Sequence, residues 1–308
     1  MRHWVADQSE AGAETFFFIA DLHSLTTEQD PELLRLRTLG LVNTLFAIGI
    51  DPARNTTFVQ SHVHEHAELT WLIECTARFG ELRRMTQFKD KGGESEGVRA
   101  GLFTYPCLMA ADILLYDIDE VPVGEDQRQH LELARDVAIR FNSTYGHTFT
   151  VPKATIAKAG ARIRDLQEPL RKMSKSEDSA GTVRLMEDPK SIERKIKRAV
   201  TDTDNEVRYD PTTKPGVSNL LEILASVTGG DPATLAGKYT QYGPLKTDTA
   251  EAVVEMVRPI QERFAELQRD PAATQEILRE GASKARIVAS ATLARAQQNI
   301  GLLLPDAT

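Results

Sequence analysis

Apolar and polar positions fall into alternating blocks along the first half of the chain. Thr15-Phe16-Phe17-Phe18-Ile19-Ala20 is a short continuous apolar run rich in aromatics. That is the pattern of a strand buried on both faces of a parallel sheet. It ends at Asp21-Leu22-His23. Asp30-Pro31 then supplies an N-cap and a first-turn proline, and Leu33, Leu34, Leu41 and Leu45 follow at helical spacing until Gly49. Thr56-Thr57-Phe58-Val59-Gln60 predicts a second strand, and helical periodicity covers 65–79 and 98–116. A strand at Val121-Pro122-Val123 continues the alternation expected of a parallel α/β sheet. Beyond the capping pair Asp188-Pro189 the pattern is almost wholly helical through Leu304, broken near Pro215-Gly216, Gly229-Gly230 and Tyr242-Gly243-Pro244. This shift predicts an α/β domain over residues 1–190 and an α-helical domain over 191–308.

Composition narrows the class. Apolar residues are 41% and charged residues 27% of 308, the balance of a globular protein, and no run reaches the roughly 18 apolar residues of a membrane span. The start, Met1-Arg2-His3-Trp4-Val5, lacks the apolar stretch of a secretory signal, so a cytoplasmic location is expected. Cys75 and Cys107 each fall in an apolar helical pattern and are read as buried small hydrophobes. A net charge of −8 excludes a protein that coats nucleic acid nonspecifically, because such binding neutralises many phosphates. Any RNA contact must be local.

The sharpest chemical signal is Lys172-Met173-Ser174-Lys175-Ser176, two ammonium groups and two hydroxyls after Pro169. Lysines on such a loop can neutralise charge that builds as pyrophosphate leaves a polyphosphate. At Val121-Pro122-Val123-Gly124-Glu125-Asp126-Gln127 a strand ends at a glycine and a helix begins. Ligands of open α/β sheets sit at such ends, and Asp126 is a candidate for a ribose hydroxyl, although acidic residues also open helices for the macrodipole alone. Asp112 interrupts the apolar run Leu108 to Tyr116. Tyr105, Met109, Asp112 and Tyr116 share a helix face, an apolar wall with one acceptor that suits an indole N–H. The structural alternative is an Asp that caps a helix or pairs with an Arg. His62, His64 and His66 alternate at period two, but the residues between them favour a solvated loop, and no zinc or other metal site is predicted. Lys190, Arg194 and Arg198 lie opposite Ile192, Ile196 and Val200 on a helix, either a solvated face or a tRNA backbone contact.

Taken together, Glu81 to Lys89 (ELRRMTQFK), Leu108 to Tyr116, Val121 to Gln127, the lysine-serine loop, Ala199-Val200-Thr201-Asp202 and Pro215 to Leu221 (PGVSNLL) resemble bacterial-type tryptophanyl-tRNA synthetases, class I aminoacyl-tRNA synthetases, from Arg2 onward. The resemblance implies a Rossmann-like catalytic domain followed by a helical domain that binds the tRNA anticodon. It implies that Asp112 accepts the indole N–H, that Tyr105, Met109, Ile113, Val121 and Val123 line the side-chain pocket, and that His23, Gln87 and Gln127 lie near the amino acid backbone. Gly124, Glu125 and Asp126 would contact the nucleotide and Ile163 the adenine. Lys172, Met173, Ser174, Lys175 and Ser176 with Lys91 would serve the phosphates, Lys172 and Lys175 being the catalytic pair. Expected substrates are ATP with Mg2+, L-tryptophan and tRNA(Trp), in a homodimer away from membranes.

Two other readings remain open at this point. A tyrosyl-tRNA synthetase would share the fold and use a buried Asp to hold a phenol. From another class, a non-catalytic synthetase-like protein would bind RNA, tryptophan or a partner without forming adenylate. Family members begin with a strand, a Gly-rich loop and a His-x-Gly-His or His-x-Gly-Asn signature ahead of the position of Arg2, and these 308 residues do not contain it. The expectation is an N-terminally truncated catalytic domain lacking on the order of twenty residues, one strand and a turn.

Overall fold

The computed structural model describes Val5, Gln8 and residues 14–91, 97–124, 127–156, 163–174 and 179–304, with the backbone only at Gln87, Asp90, Lys91 and Ile156. The chain divides into two compact units, 1–157 with 267–308, and 158–266.

In the first unit, β1 (Phe16–Ile19) and β2 (Thr56–Val59) pair in parallel, as do β3 (Glu120–Val123) and β4 (Lys153–Ile156). The period-two pattern of β1 works on both faces. Phe16 and Phe18 pack on the larger core with Phe58, whereas Phe17 and Ile19 join Val42, Leu45, Phe46 and Val59 in a second cluster. Between the strands run α1 (Asp21–Ser24), α2 (Pro31–Ala47), α3 (Glu65–Thr76), α4 (Phe79–Arg83), α5 (Thr86–Lys91), α6 (Ala100–Leu114) and α7 (Arg128–Tyr145). The carboxylate of Asp30 accepts from Glu32 and Leu33 N–H at 2.9 Å, and Pro31 opens α2, the cap its sequence predicts. Among the described residues no helix is long and apolar enough to cross a membrane.

The second unit is helical, with α8 (Pro189–Lys197), α9 (Pro215–Thr228), α10 (Pro232–Ala236) and most of α11 (Tyr242–Arg269). Its core joins Ile192 and Ile196 of α8, Val217, Leu220 and Leu221 of α9, and Leu245 and Val253 of α11.

The division differs from the expected break near residue 190 at both ends. Leu166 is buried in the core of the second unit, with Ile163, Met173, Val183 and Leu185 packed against it, so the segment before α8 belongs with the helices. At the other end, α12 (Pro271–Ile300) belongs to the first unit, where Ala282, Ala285, Ala289, Leu293 and Ala296 join the sheet core. Its small-residue stripe allows close approach to β2. A Cβ on Gly281 would stand 1.8 Å from the Thr57 carbonyl oxygen. The composition shift marks where strands give way to helices, which is not where one core gives way to the next.

Two further expectations are corrected. Cys107 is buried, and burial pushes its thiol up to about 12, but Cys75 is exposed on α3. His66 is fully buried, whereas His62 and His64 are exposed, so the histidine triplet is not a solvated loop as a whole. The reason is that α3 begins at Glu65, and from there the helical period, not period two, decides which side chains face inward.

Candidate active site

The site is built on α6. Tyr105 and Met109 are half-buried, one helical turn apart, and Asp112 follows on the same face with only 5% of its surface exposed. An isolated carboxylate at that depth costs several kcal/mol unless hydrogen-bonded. From the described residues it accepts three hydrogen bonds. His23 Nε2 donates to Oδ2 at 2.8 Å, while Gln60 Nε2 at 2.7 Å and His66 Nδ1 at 2.6 Å donate to Oδ1. Burial acts against ionisation, but the hydrogen bonds from His23 and His66 outweigh it and hold the carboxyl below its usual range. Among the described residues Asp112 is therefore an anionic acceptor, and neither a helix cap nor an arginine partner.

The elements around it are fixed by the same kind of bond. Leu22 N–H donates to Gln60 Oε1 at 3.1 Å, which sets the Gln60 amide so that its NH2 points at Asp112. Asp21 accepts from Ser61 N–H at 3.0 Å and from its hydroxyl at 2.5 Å. Together these bonds dock α1 on the turn Gln60–His62 and carry His23 to Asp112. The His23 ring meets Tyr105 edge-on at 6.2 Å, and the Tyr105 hydroxyl shares a 2.6 Å hydrogen bond with His130 Nε2. Burial pushes that hydroxyl up to about 12, so it stays protonated. Of the other candidate pocket residues, Ile113 and Val123 are buried in the core, and Val121 packs at its edge.

At the end of β3, Gly124 is exposed and its carbonyl accepts from Gln127 N–H at 3.0 Å, just ahead of α7. Glu125, Asp126, Lys175 and Ser176 lie outside the described residues, as do the side chains of Gln87 and Lys91.

In the second unit, Lys172 is exposed and forms an antiparallel bridge with Arg164, and Met173 N–H donates to the Ile163 carbonyl at 3.1 Å. The structure thus sets the adenine candidate Ile163 directly against Met173. Asn219 clamps this bridge from α9, accepting from Arg164 N–H at 2.8 Å and donating to its carbonyl at 2.9 Å. Asp165 braces the other side, accepting from Gln167 and Glu168 N–H. Gly181 makes room for that carboxylate, since a Cβ there would stand 1.9 Å from its oxygen. The PGVSNLL string therefore builds the seat of the lysine-serine loop.

Sequence reasoning does not reach Gln60, Asp165 or Asn219, and it places His66 on a solvated loop, whereas His66 is buried. For His66 a signal existed: Val63, His66, Leu69 and Ile73 fall at helical spacing, with the imidazole on the apolar face.

A parallel α/β unit with a buried acceptor at one helix face, together with a helical unit that seats the exposed Lys172, defines a class I synthetase. The chain belongs to that family, whose description, tRNA synthetases class I (W and Y), matches residues 1–258. Within the family it belongs with the tryptophan–tRNA ligases. It is 53% identical to tryptophan–tRNA ligase 1 of Streptomyces coelicolor, over 99% of this chain and 92% of that one. It is 52% identical to the tryptophan–tRNA ligase of Mycobacterium leprae, over 97% and 90% of the two chains. Tryptophanyl-tRNA synthetase from Campylobacter jejuni, crystallised with ADP and tryptophan, matches with a TM-score of 0.84 at 34% identity, covering 98% of this chain and 93% of that one.

Proposed function

We propose that this chain activates L-tryptophan with ATP and transfers it to tRNA(Trp), and that Asp112 recognises the indole. The observation that carries this reading is the set of bonds at the Asp112 carboxylate. A carboxylate has about four lone-pair sites; among the described residues two donors meet Oδ1 and one meets Oδ2. The remaining acceptor position is on Oδ2, beside half-buried His23 and Tyr105, and it takes only a donor such as an indole N–H. Tyr105, Met109, Ile113, Val121 and Val123 form the apolar walls, with His23, Gln87 and Gln127 toward the amino acid backbone.

In the first step a tryptophan carboxylate oxygen attacks the α-phosphorus, and the bond to the bridging oxygen breaks as pyrophosphate leaves. The nucleophile is already ionised, so no general base is required, and catalysis is positioning and charge stabilisation. Gly124, Glu125, Asp126 and Ile163 hold the nucleotide. Lys91 and the loop Lys172 to Ser176 serve the phosphates, and Mg2+ enters with them as their counter-ion. In the second step a terminal ribose 2′-hydroxyl of tRNA attacks the adenylate carbonyl and AMP departs.

The helices of the second unit are the part that reads the anticodon, and the exposed face of α8 with Lys190, Arg194 and Arg198 contacts tRNA phosphates. A homodimer is supported by apolar surface on α2 (Leu33, Leu36, Leu41) and by Trp71 on α3, which is 65% exposed. Light scattering is expected to give twice the 34.2 kDa chain mass; a single-chain mass at micromolar concentration refutes the dimer. All these substrates are cytoplasmic, and so is the enzyme.

The deciding experiment is ATP–pyrophosphate exchange with tryptophan and with tyrosine. Exchange with tryptophan alone is expected, and exchange with tyrosine alone overturns the assignment. Asp112→Ala leaves the indole N–H without its acceptor, worth about 1 to 3 kcal/mol, so tryptophan affinity should fall roughly ten- to hundredfold with ATP affinity unchanged. Wild-type tryptophan affinity by calorimetry removes Asp112 from the pocket.

A further inference from the structure

The assignment of Asp112 as indole acceptor leaves His66 and Tyr116 unused, although both touch the same network. His66 is fully buried on α3, its ring enclosed by Phe18 at 5.5 Å, Tyr116 at 5.6 Å and Phe58 at 6.0 Å between centroids. Both of its nitrogens are engaged, Nδ1 with Asp112 Oδ1 at 2.6 Å and Nε2 with the Tyr116 hydroxyl at 2.7 Å.

The direction of these bonds follows from chemistry. The Tyr116 hydroxyl keeps its proton, since burial and the charges of Asp112 and Glu65 push it far up. A buried hydroxyl needs an acceptor, and the one it has among the described residues is His66 Nε2. The imidazole hydrogen is then on Nδ1, where it donates to Asp112. Donation runs one way, from Tyr116 through His66 to Asp112, and Gln60 and His23 add to it.

We propose that His66, set by Tyr116, is a positioning residue for substrate selection: it holds Asp112 as a pure acceptor whose remaining lone pair meets only a side chain that donates. This rests on the indole-acceptor reading above. Its content beyond that reading is that selectivity for an N–H resides in a buried histidine that touches no substrate. The ordinary alternative is a core histidine satisfied by its neighbours, which would serve stability and treat all amino acid substrates alike.

The test compares tryptophan with β-(benzothien-3-yl)alanine, in which sulfur replaces the ring N–H, by ATP–pyrophosphate exchange. In His66→Leu, kcat/KM for tryptophan is expected to fall about tenfold through KM, with kcat near wild type, the scale of one hydrogen bond to a charged group. Exchange with the thienyl analogue should change by less than about twofold, so the preference for tryptophan collapses. His66→Asn places an amide N–H near the Nδ1 position and should restore most of the preference. Equal losses with both substrates, or an unaltered ratio, overturn the proposal. Should the leucine variant fail to fold, Tyr116→Phe keeps the aromatic packing and removes only the hydroxyl. A several-fold fall in the same ratio is expected there, and none refutes the relay. Asp112→Asn separates the two ideas. An unchanged ratio in that variant defeats the indole-acceptor reading itself, whereas collapse there with an unaltered His66→Leu ratio defeats the positioning role alone.

Discussion

Lys172→Ala is expected to slow adenylate formation by roughly a hundred- to a thousandfold while tryptophan and ATP bind almost as before, since one electrostatic contact to a developing charge is worth roughly 2.7 to 4 kcal/mol. Lys172 is exposed, so removing its ammonium leaves no buried partner unpaired. Its backbone is held independently of its side chain, through the bridge to Arg164 and the Asn219 clamp. The loop should therefore keep its base when the charge is gone. Loss confined to kcat is the mark of an interaction made in the transition state. Lys175→Ala should behave alike. Single-turnover adenylation at the wild-type rate in both variants removes the loop from catalysis.

Gly281→Ala should destabilise the first unit by about 3 kcal/mol, although alanine is the better helix former. Within an exposed helix that exchange stabilises by roughly 0.5 to 1 kcal/mol. At Gly281 the added Cβ would lie 1.8 Å from a backbone oxygen of β2. Neither the strand nor a 30-residue helix yields as a flexible side chain does, and overpacking of this kind costs about 1 to 3 kcal/mol, occasionally more. The steric cost exceeds the propensity gain. A lowered urea midpoint is expected; a midpoint at or above wild type shows that α12 moves off β2 without loss.

Much of the fold is readable because burial in it is periodic. The run Phe16 to Ile19, the cap Asp30-Pro31 and the cap Asp188-Pro189 lie where pattern and capping chemistry set them. Asp112 is legible for the same reason, as a charge within an apolar stripe. The strand Lys153–Ile156 was not, because its Lys and Thr break the apolar signature of a parallel strand. Gln60, His66 and Asn219 escaped because each acts through a partner far along the chain: Gln60 and Asp112 are 52 residues apart, Asn219 and Arg164 are 55. A single sequence shows spacing within an element and not pairing between elements. The unit boundary was hidden likewise, because α12 is as helical as its predecessors and differs only in where its alanine stripe is buried.

That last helix also sets an order of events on the ribosome. β2 ends at Val59 and α12 begins at Pro271, so about 210 residues emerge between the strand and the helix that covers it. At ~5 to 20 residues per second the nascent chain spends roughly 10 to 40 s with this strand uncovered. The helices of the second unit make mainly contacts within 158–266 and can close upon themselves during that interval. The first unit, though begun earlier, finishes later. Chaperone capture during synthesis should therefore favour the strands at the start of the chain and release them only when α12 has left the exit tunnel.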